Sequence, residues 1–359
     1  MRIGLIASLA GLIFISGVAA IWLHSELSNP YYRASRAEVF VDVPRGAGIS
    51  AIAESLRLSG VLHHTIPFIL YVRWTGLARH LKAGEYLFTA PASPGQVARR
   101  LALGDIYYHS ITIPEGLTSR EVINLLARSG FGDENEMLPL LFRSDWVSDL
   151  DQHAKGLEGY LFPATYRFVR RATSQEILRK MVSEFRARMA KLLLANPLPP
   201  KSSLAQVITL ASMIEREAKV DEERPLIASV LLNRLRLGMP LGCDATIVYL
   251  LKESGAFDGS LHKADMTLPS PYNTYTHLGM PPGPIANPGA ASIRAALAPD
   301  TSEYLYYVSK NDGTHCFSRD LRSHLIAVAR YQKKQVHTSG RGQQPIRRQS
   351  SKNPRVPKC

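Results

Sequence analysis

The strongest constraint in this sequence is a gapless internal repeat. VPRGAGISAIAESLRLSG (Val43 to Gly60) aligns with IPEGLTSREVINLLARSG (Ile113 to Gly130), sharing Pro44/Pro114, Gly46/Gly116, Leu56/Leu126, Ser59/Ser129 and Gly60/Gly130. Each copy follows a short β-prone run, VFVDV at 39–43 or SITI at 110–113, and continues with apolar residues at helical spacing, so the repeated unit is strand, turn, helix. Thr118 and Glu121 form a capping-box pattern that starts the second helix. Between the copies, AGEYLF (83–88) reads as a strand, and SPGQVARRLALG (93–104) as a helix with Ser93 at its cap and Pro94 at its first position. The result is a small α+β module.

Beyond Asp151 the texture changes. LEGYLFPATYRF (157–168) is dense in aromatics, and a long helix is predicted over 174–194, stopped by the NPLPP run at 196–200. A further helix, PLIASVLLNRLRLG (225–238), starts at a proline and ends at a glycine. Loops rich in Pro, Gly, Asn and Tyr follow (269–289), then a strand-like SEYLYYVS (302–309) and a closing helix, LRSHLIAVARYQ (321–332).

The N-terminus carries IGLIASLAGLIFISGVAAIW (3–22), an uncharged run of about the length a helix needs to cross a bilayer. Only Arg2 and the amino terminus precede it, so the predicted topology is a single span with everything after residue 24 outside the inner membrane. A cleaved signal peptide is the alternative, because Val18-Ala19-Ala20 resembles a cleavage site; it exports the same residues. Three scattered cysteines, Cys243, Cys316 and Cys359, give neither a disulfide framework nor a zinc cluster. The formal charge of +13 is concentrated in the tail, where Lys333, Lys334, Arg341, Arg347, Arg348, Lys352, Arg355 and Lys358 lie in a stretch without acids. That composition reads as a basic disordered tail over 336–359 and not as a nucleic-acid-binding face.

No HExxH, CxxC, GxSxG, Walker or GxGxxG pattern occurs, which removes the usual sequence support for metal-dependent hydrolysis, nucleotide use and elbow-serine chemistry. His63, His64, His277, His315 and His324 are scattered and read as surface or packing residues. Carboxylates remain. In LASMIEREAK (210–219), Val207, Ala211, Ile214 and Ala218 define one helical face and Arg216 points away from it. Glu215 and Glu217 flank the stripe, each about 80° from its centre, and periodicity does not choose between them. A carboxyl half-buried beside Met213 and Ile214 would have its charged form disfavoured and would be able to donate a proton near neutrality.

ASMIEREA, ASVLLNRLRLGMPLGCDATIVY (228–249), SPYNTYTHLGMPPGPIANPG and LEGYLFPATY, with the repeated [VI]P-x-G turns, resemble the YceG-like (MltG) family of endolytic murein transglycosylases over about residues 37–332. The resemblance implies an α+β chain with a single N-terminal transmembrane helix (1–24), a LysM-like module (37–110), a mixed α+β catalytic domain (111–335) and the tail. It implies a lyase that cuts the MurNAc-GlcNAc β-1,4 bond of peptidoglycan glycan strands, leaves 1,6-anhydro-MurNAc ends and terminates nascent strands. It implies Glu217 as the acid and base, with no metal and no cofactor. Glu215 and Glu158 would support it, and Tyr160, Asp244, Thr246, Tyr272, Asn273 and Tyr275 would contact the sugar. Glycan, the inner membrane and penicillin-binding proteins are the implied partners, with the catalytic domain periplasmic. The chain departs from the family pattern at Ala164, where Asp is common, at Ala245, where Pro is common, and at Cys243, where Ser or Thr is common. A membrane-tethered scaffold and a true peptidoglycan hydrolase are the rival readings.

Overall fold

In the computed structural model, residues 2–31 and 38–332 are described, with side chains from residue 14 onward. The basic tail and Cys359 lie outside them. Among the described residues the fold is mixed α+β, with twelve α-helices and three two-stranded sheets. The chain divides into two compact units, one of residues 1–110 with the return segment Arg167–Ala172, the other of Ile111–Tyr166 with the chain from Thr173.

The first unit opens with α1 (Arg2–Ser28). Among the described residues no helix is long and apolar enough to cross a membrane, and the first thirteen positions of the predicted span lie outside the described side chains. Next come β1 (Val39–Val43), α2 (Ile49–Leu58), α3 (Thr65–Trp74), β2 (Gly84–Phe88), α4 (Pro94–Leu103) and the first half of β3 (His109–Thr112). β1 and β2 pair antiparallel, with Val41 opposite Tyr86 and Val43 opposite Gly84. Val41, Val43, Leu56, Phe68, Val72, Tyr86, Phe88, Val97 and Leu101 form the core beneath this sheet. Alternation along β1 and the i, i+3, i+4 spacing of Ile52, Ala53 and Leu56 on α2 turn those residues inward. Helix α3 escapes the sequence reading because its apolar residues run all round it, while it buries only Pro67, Phe68 and Val72. The return segment is tied in by a buried Glu85, whose carboxylate accepts from Arg170 at 2.7 Å and from His109 at 2.5 Å. Burial opposes ionisation of Glu85, but these two bonds together hold its carboxyl below the usual range.

The second unit contains α5 (Ser119–Arg128), α6 (Glu134–Leu140), the first half of β4 (Thr165–Phe168), α7 (Ser174–Ala195), α8 (Leu204–Glu217), α9 (Arg224–Arg236), α10 (Asp244–Glu253), α11 (Ala290–Leu297), β5 (Tyr306–Ser309), β6 (His315–Ser318) and α12 (Leu321–Tyr331). Helix α5 begins with the capping box expected at Thr118 and Glu121, and both repeats turn at a glycine with φ of 78°, Gly46 and Gly116. The repeat thus encodes the same local geometry twice. Capping boxes also start α7 at Thr173 and α8 at Ser203.

Helix α8 packs against α9, α10 and α11. Every residue from Val207 to Ile214 is buried, so its surface is not the amphipathic stripe expected from periodicity; neighbours cover all sides. The fully buried hydroxyl of Ser212 is satisfied: it donates to the Thr209 carbonyl at 2.7 Å and accepts from Ile285 N–H at 3.0 Å. The predicted 302–309 strand is shortened to β5 because side chains from α9 take its first carbonyls. Asn233 Nδ2 donates to the carbonyls of Ser302 (2.8 Å) and Tyr304 (3.1 Å), and Arg234 Nε to that of Leu305 (2.6 Å).

Gly159 in the LEGYLF stretch has φ of +87°, and a Cβ there would come within 2.6 Å of Pro284 and 2.9 Å of Ile208. A left-handed backbone costs about 1–2 kcal/mol for a residue with a side chain, and overpacking about 1–3 kcal/mol. Gly159→Ala should therefore lower unfolding free energy by roughly 2–5 kcal/mol, read from denaturant melts.

Candidate active site

Glu215 and Glu217 leave the end of α8 in different directions, into different environments. Glu215 Oε2 accepts from the backbone N–H of Gly289, the cap of α11, at 2.9 Å, and Oε1 lies 3.4 Å from Arg224 Nη1. The pair is nearly sealed, with side chains 6% and 9% exposed. Arg224 also donates to Ser292 at 2.8 Å and to Asp221 at 3.0 Å. Glu115, from the turn of the second repeat, lies alongside: its carboxylate occupies the space over Gly289, where a Cβ would fall 1.8 Å from its Oε1. Burial, then the charge of Glu215, raises the pKa of Glu115. Glu215 is thus a counter-ion in a junction between α8, α9 and α11.

Glu217 is the last residue of α8 and is half-buried. Its Oε1 accepts from the Cys243 thiol at 2.9 Å, and the Tyr307 hydroxyl faces the same carboxyl as a donor. Both donors are neutral. Burial raises the Glu217 pKa, Asp244 adds to the rise, and the bonds from Cys243 and Tyr307 offset only part of it. The Cys243 thiol is pushed well above its ordinary value by burial and by Glu217, so it stays protonated as a donor.

The surroundings hold Cys243 and Tyr307 in place. Cys243 precedes α10; its N–H donates to Thr274 Oγ1 at 2.9 Å and its carbonyl accepts from Thr246 Oγ1 at 2.8 Å. Thr246 and Thr274 hydroxyls are 3.1 Å apart. Tyr307 lies on β5, edge-on to the His315 ring at 5.4 Å, and His315 Nδ1 donates to the buried Glu223 at 2.7 Å. Tyr275 donates to Asp244 Oδ1, placing a partly exposed ring over the start of α10. Asn273 is fully buried; its amide donates to the carbonyls of Met266 (3.0 Å) and Leu268 (2.8 Å), and its oxygen accepts from Tyr275 N–H at 3.0 Å. It shapes the loop that presents Tyr275, and its side chain is used up in doing so.

The other sequence candidates line a separate cavity of about 220 Å³, walled by Glu158, Tyr160, Tyr249, Tyr272 and Pro284 among others. Glu158 accepts from the Ser119 N–H at the start of α5 with both oxygens, 3.1 Å each, and from Asn287 Nδ2 at 3.4 Å. Burial outweighs these bonds and raises its pKa to about 8. Tyr160 donates to Asp151 at 2.6 Å with its ring buried against Phe185, and Tyr272 pairs with Tyr249 at 5.2 Å. The cavity walls include Glu158, Tyr160 and Tyr272 but not Glu217. The predicted residues therefore divide: Asp244, Thr246 and Tyr275 gather at Glu217, whereas Glu158, Tyr160 and Tyr272 gather elsewhere.

Sequence reasoning missed several groups. Asn287 is one: its oxygen accepts from Leu161 N–H at 2.9 Å, and its amide donates to Leu117 O at 3.0 Å and to Ser119 Oγ at 3.2 Å. That one side chain joins the LEGYLF segment, the repeat turn and the loop before α11. Cys243 and Tyr307 are the others. The only sequence signal was the departure at Cys243 from the family's usual hydroxyl residue.

The sequence profile of the YceG-like family matches residues 41–330. The chain belongs to the YceG-like family. It is 32% identical over 328 residues to the endolytic murein transglycosylase of Bacillus subtilis (strain 168), covering 85% of this chain and 88% of that one. It is 27% identical over 332 residues to that of Streptococcus pneumoniae (strain ATCC BAA-255 / R6), where it covers 83% of this chain and only 59% of the longer relative. A crystal structure of a YceG-like protein from Listeria monocytogenes superposes with a TM-score of 0.55 at 30% identity, over 81% of this chain and 99% of that one. The mixed α+β architecture is thus the YceG-like fold.

Two titrations test this electrostatic picture. Removing the thiol in Cys243→Ala should move the Glu217 pKa further up, whereas Cys243→Ser, with a stronger donor, should move it down; carbon-detected NMR of the carboxyl, assigned against Glu217→Gln, reads both. Glu158 has a raised folded pKa, so its stabilising contribution is full below its unfolded value near 4.5 and is lost as pH rises through about 8. Glu158→Gln should accordingly flatten the decline in wild-type stability between those values, by up to about 1.4 kcal/mol per pH unit in chemical melts.

Proposed function

We infer that this protein is an endolytic peptidoglycan lytic transglycosylase, with Glu217 as the group that moves the proton. One observation carries the assignment. Of the two glutamates that periodicity left equivalent, Glu215 is neutralised by Arg224, while Glu217 is half-buried among neutral donors with its pKa raised.

Such a carboxyl retains a proton closer to neutrality than an exposed one and can deliver it to a glycosidic oxygen. Glu217 protonates the oxygen leaving C1 of the muramoyl residue, breaking the bond to the next sugar. The resulting carboxylate takes the proton of the muramoyl C6 hydroxyl as that oxygen bonds to C1. The proton count closes: Glu217 ends the cycle protonated, and the product carries a 1,6-anhydro ring. Cys243 and Tyr307 stabilise the intervening carboxylate by donating to it, and Tyr275 and Asp244 are placed to meet the sugar. General acid–base catalysis of this kind contributes about 10²–10⁴ in rate.

Asp244 gives the hydrolase alternative its specific support, because its charge acts on Glu217 and a second carboxylate could serve water. End-group chemistry separates the two readings. The β1-α2-α3-β2 arrangement, an antiparallel strand pair enclosing two helices, supports a LysM-like module that contacts glycan. The uncharged 3–22 run supports a single-pass inner-membrane anchor with the remainder periplasmic, beside the penicillin-binding proteins whose strands it would cut.

Digestion of purified peptidoglycan followed by mass spectrometry of the fragments tests the assignment. Wild type should release fragments ending in 1,6-anhydro-muramic acid, and Glu217→Gln should lower the rate about 10²–10⁴-fold. Equal product from both proteins refutes the role of Glu217; reducing ends in place of anhydro ends establish hydrolysis instead.

A further inference from the structure

A cluster in the first unit is untouched by this chemistry. Near the end of α1, Glu26 meets His63 and His64, which are adjacent in the turn leading into α3 and separated from Glu26 by more than thirty residues of chain. Glu26 Oε1 lies 3.5 Å from His63 Nδ1 and 3.9 Å from His64 Nε2. One ligand atom from each of the three residues lies within 4.8 Å of the others.

We propose that Glu26, His63 and His64 form a binding site for a divalent transition metal, Zn²⁺ by donor type, that fastens the end of α1 to the start of α3. Zinc takes imidazole nitrogen and carboxylate oxygen at about 2.0–2.2 Å, and in a tetrahedral shell two such ligands stand roughly 3.3–3.5 Å apart. The two measured Glu26 separations are at that spacing or a few tenths beyond it, a difference that small side-chain rotations remove. Two imidazoles and one carboxylate match the preference of zinc over calcium or magnesium, which favour all-oxygen shells.

The rings are also held in position. Trp22 packs on His64 with centroids 5.8 Å apart, His63 lies 4.1 Å from His64, and Tyr31 stacks on His63 at 4.8 Å and 24°. Four rings in a row restrict the rotamers of both histidines, so less freedom is lost when a metal binds. Both histidines remain about half exposed, 52% and 45%, which gives an ion access and leaves the fourth coordination position to water. The site lies within the first unit, whereas Glu217 belongs to the second, and it does not depend on the reaction assigned there.

The test uses the full chain in detergent, stripped with chelator and titrated with Co²⁺ as a spectroscopic stand-in. Wild type should take up one equivalent with visible d–d bands typical of a four-coordinate site, and Zn²⁺ should abolish the bands by displacement. His63→Ala/His64→Ala and, separately, Glu26→Gln should each weaken Co²⁺ binding at least tenfold, while His277→Ala, in the second unit, should leave it unchanged. Because both histidines are exposed, the double variant should keep the wild-type circular dichroism spectrum. If wild type shows no stoichiometric uptake, or if the double variant binds Co²⁺ as wild type does, the proposal is wrong.

Discussion

A helix covered on every side has to release its polar end somewhere, and the organisation of the second unit follows from where α8 does so. From Val207 to Ile214 there is no solvent face. The two carboxylates that close the helix therefore emerge into protein and must each be accommodated. Arg224 and the capped start of α11 accommodate Glu215. Glu217 instead meets a thiol and a phenol, which are weaker anion hosts than a guanidinium. The same helix terminus thus yields one carboxyl paired with a guanidinium and one biased toward its protonated form.

This asymmetry depends on distant chain segments arriving together. Asn287 links the repeat turn, the LEGYLF segment and the approach to α11, and so sets where Gly289 offers its N–H to Glu215. The β5–β6 hairpin brings Tyr307, with His315 and Glu223 behind it. The threonine pair Thr246 and Thr274 fixes the backbone of Cys243. Each of these residues acts through hydrogen bonds already satisfied in the folded protein, so the buried side of the Glu217 carboxyl faces fixed dipoles.

Local signals were read well where local physics is sufficient. Capping boxes at Ser93 and Thr118, the proline at the start of α9 and the repeated positive-φ glycines act within one turn of chain and are visible as letters. Helices α3 and α8 were harder, since a segment apolar all round has no preferred face in sequence. The strand over 302–309 was overextended because side chains of Asn233 and Arg234, some seventy residues earlier, claim its carbonyls. His63 and His64 read as surface residues because their partner on α1 is remote in sequence.

By itself the sequence determined the class of fold, the repeated strand-turn-helix unit and the short set of carboxylates able to move a proton, since these depend on periodicity, turn chemistry and residue type. It could not choose between Glu215 and Glu217, which mirror each other about the helix stripe. Tertiary structure made that choice. A carboxyl responds to the charges and dipoles within a few ångströms in space, and around these two residues those groups include Gly289 at the start of α11, Cys243 before α10 and Tyr307 on β5, all more than twenty residues away along the chain.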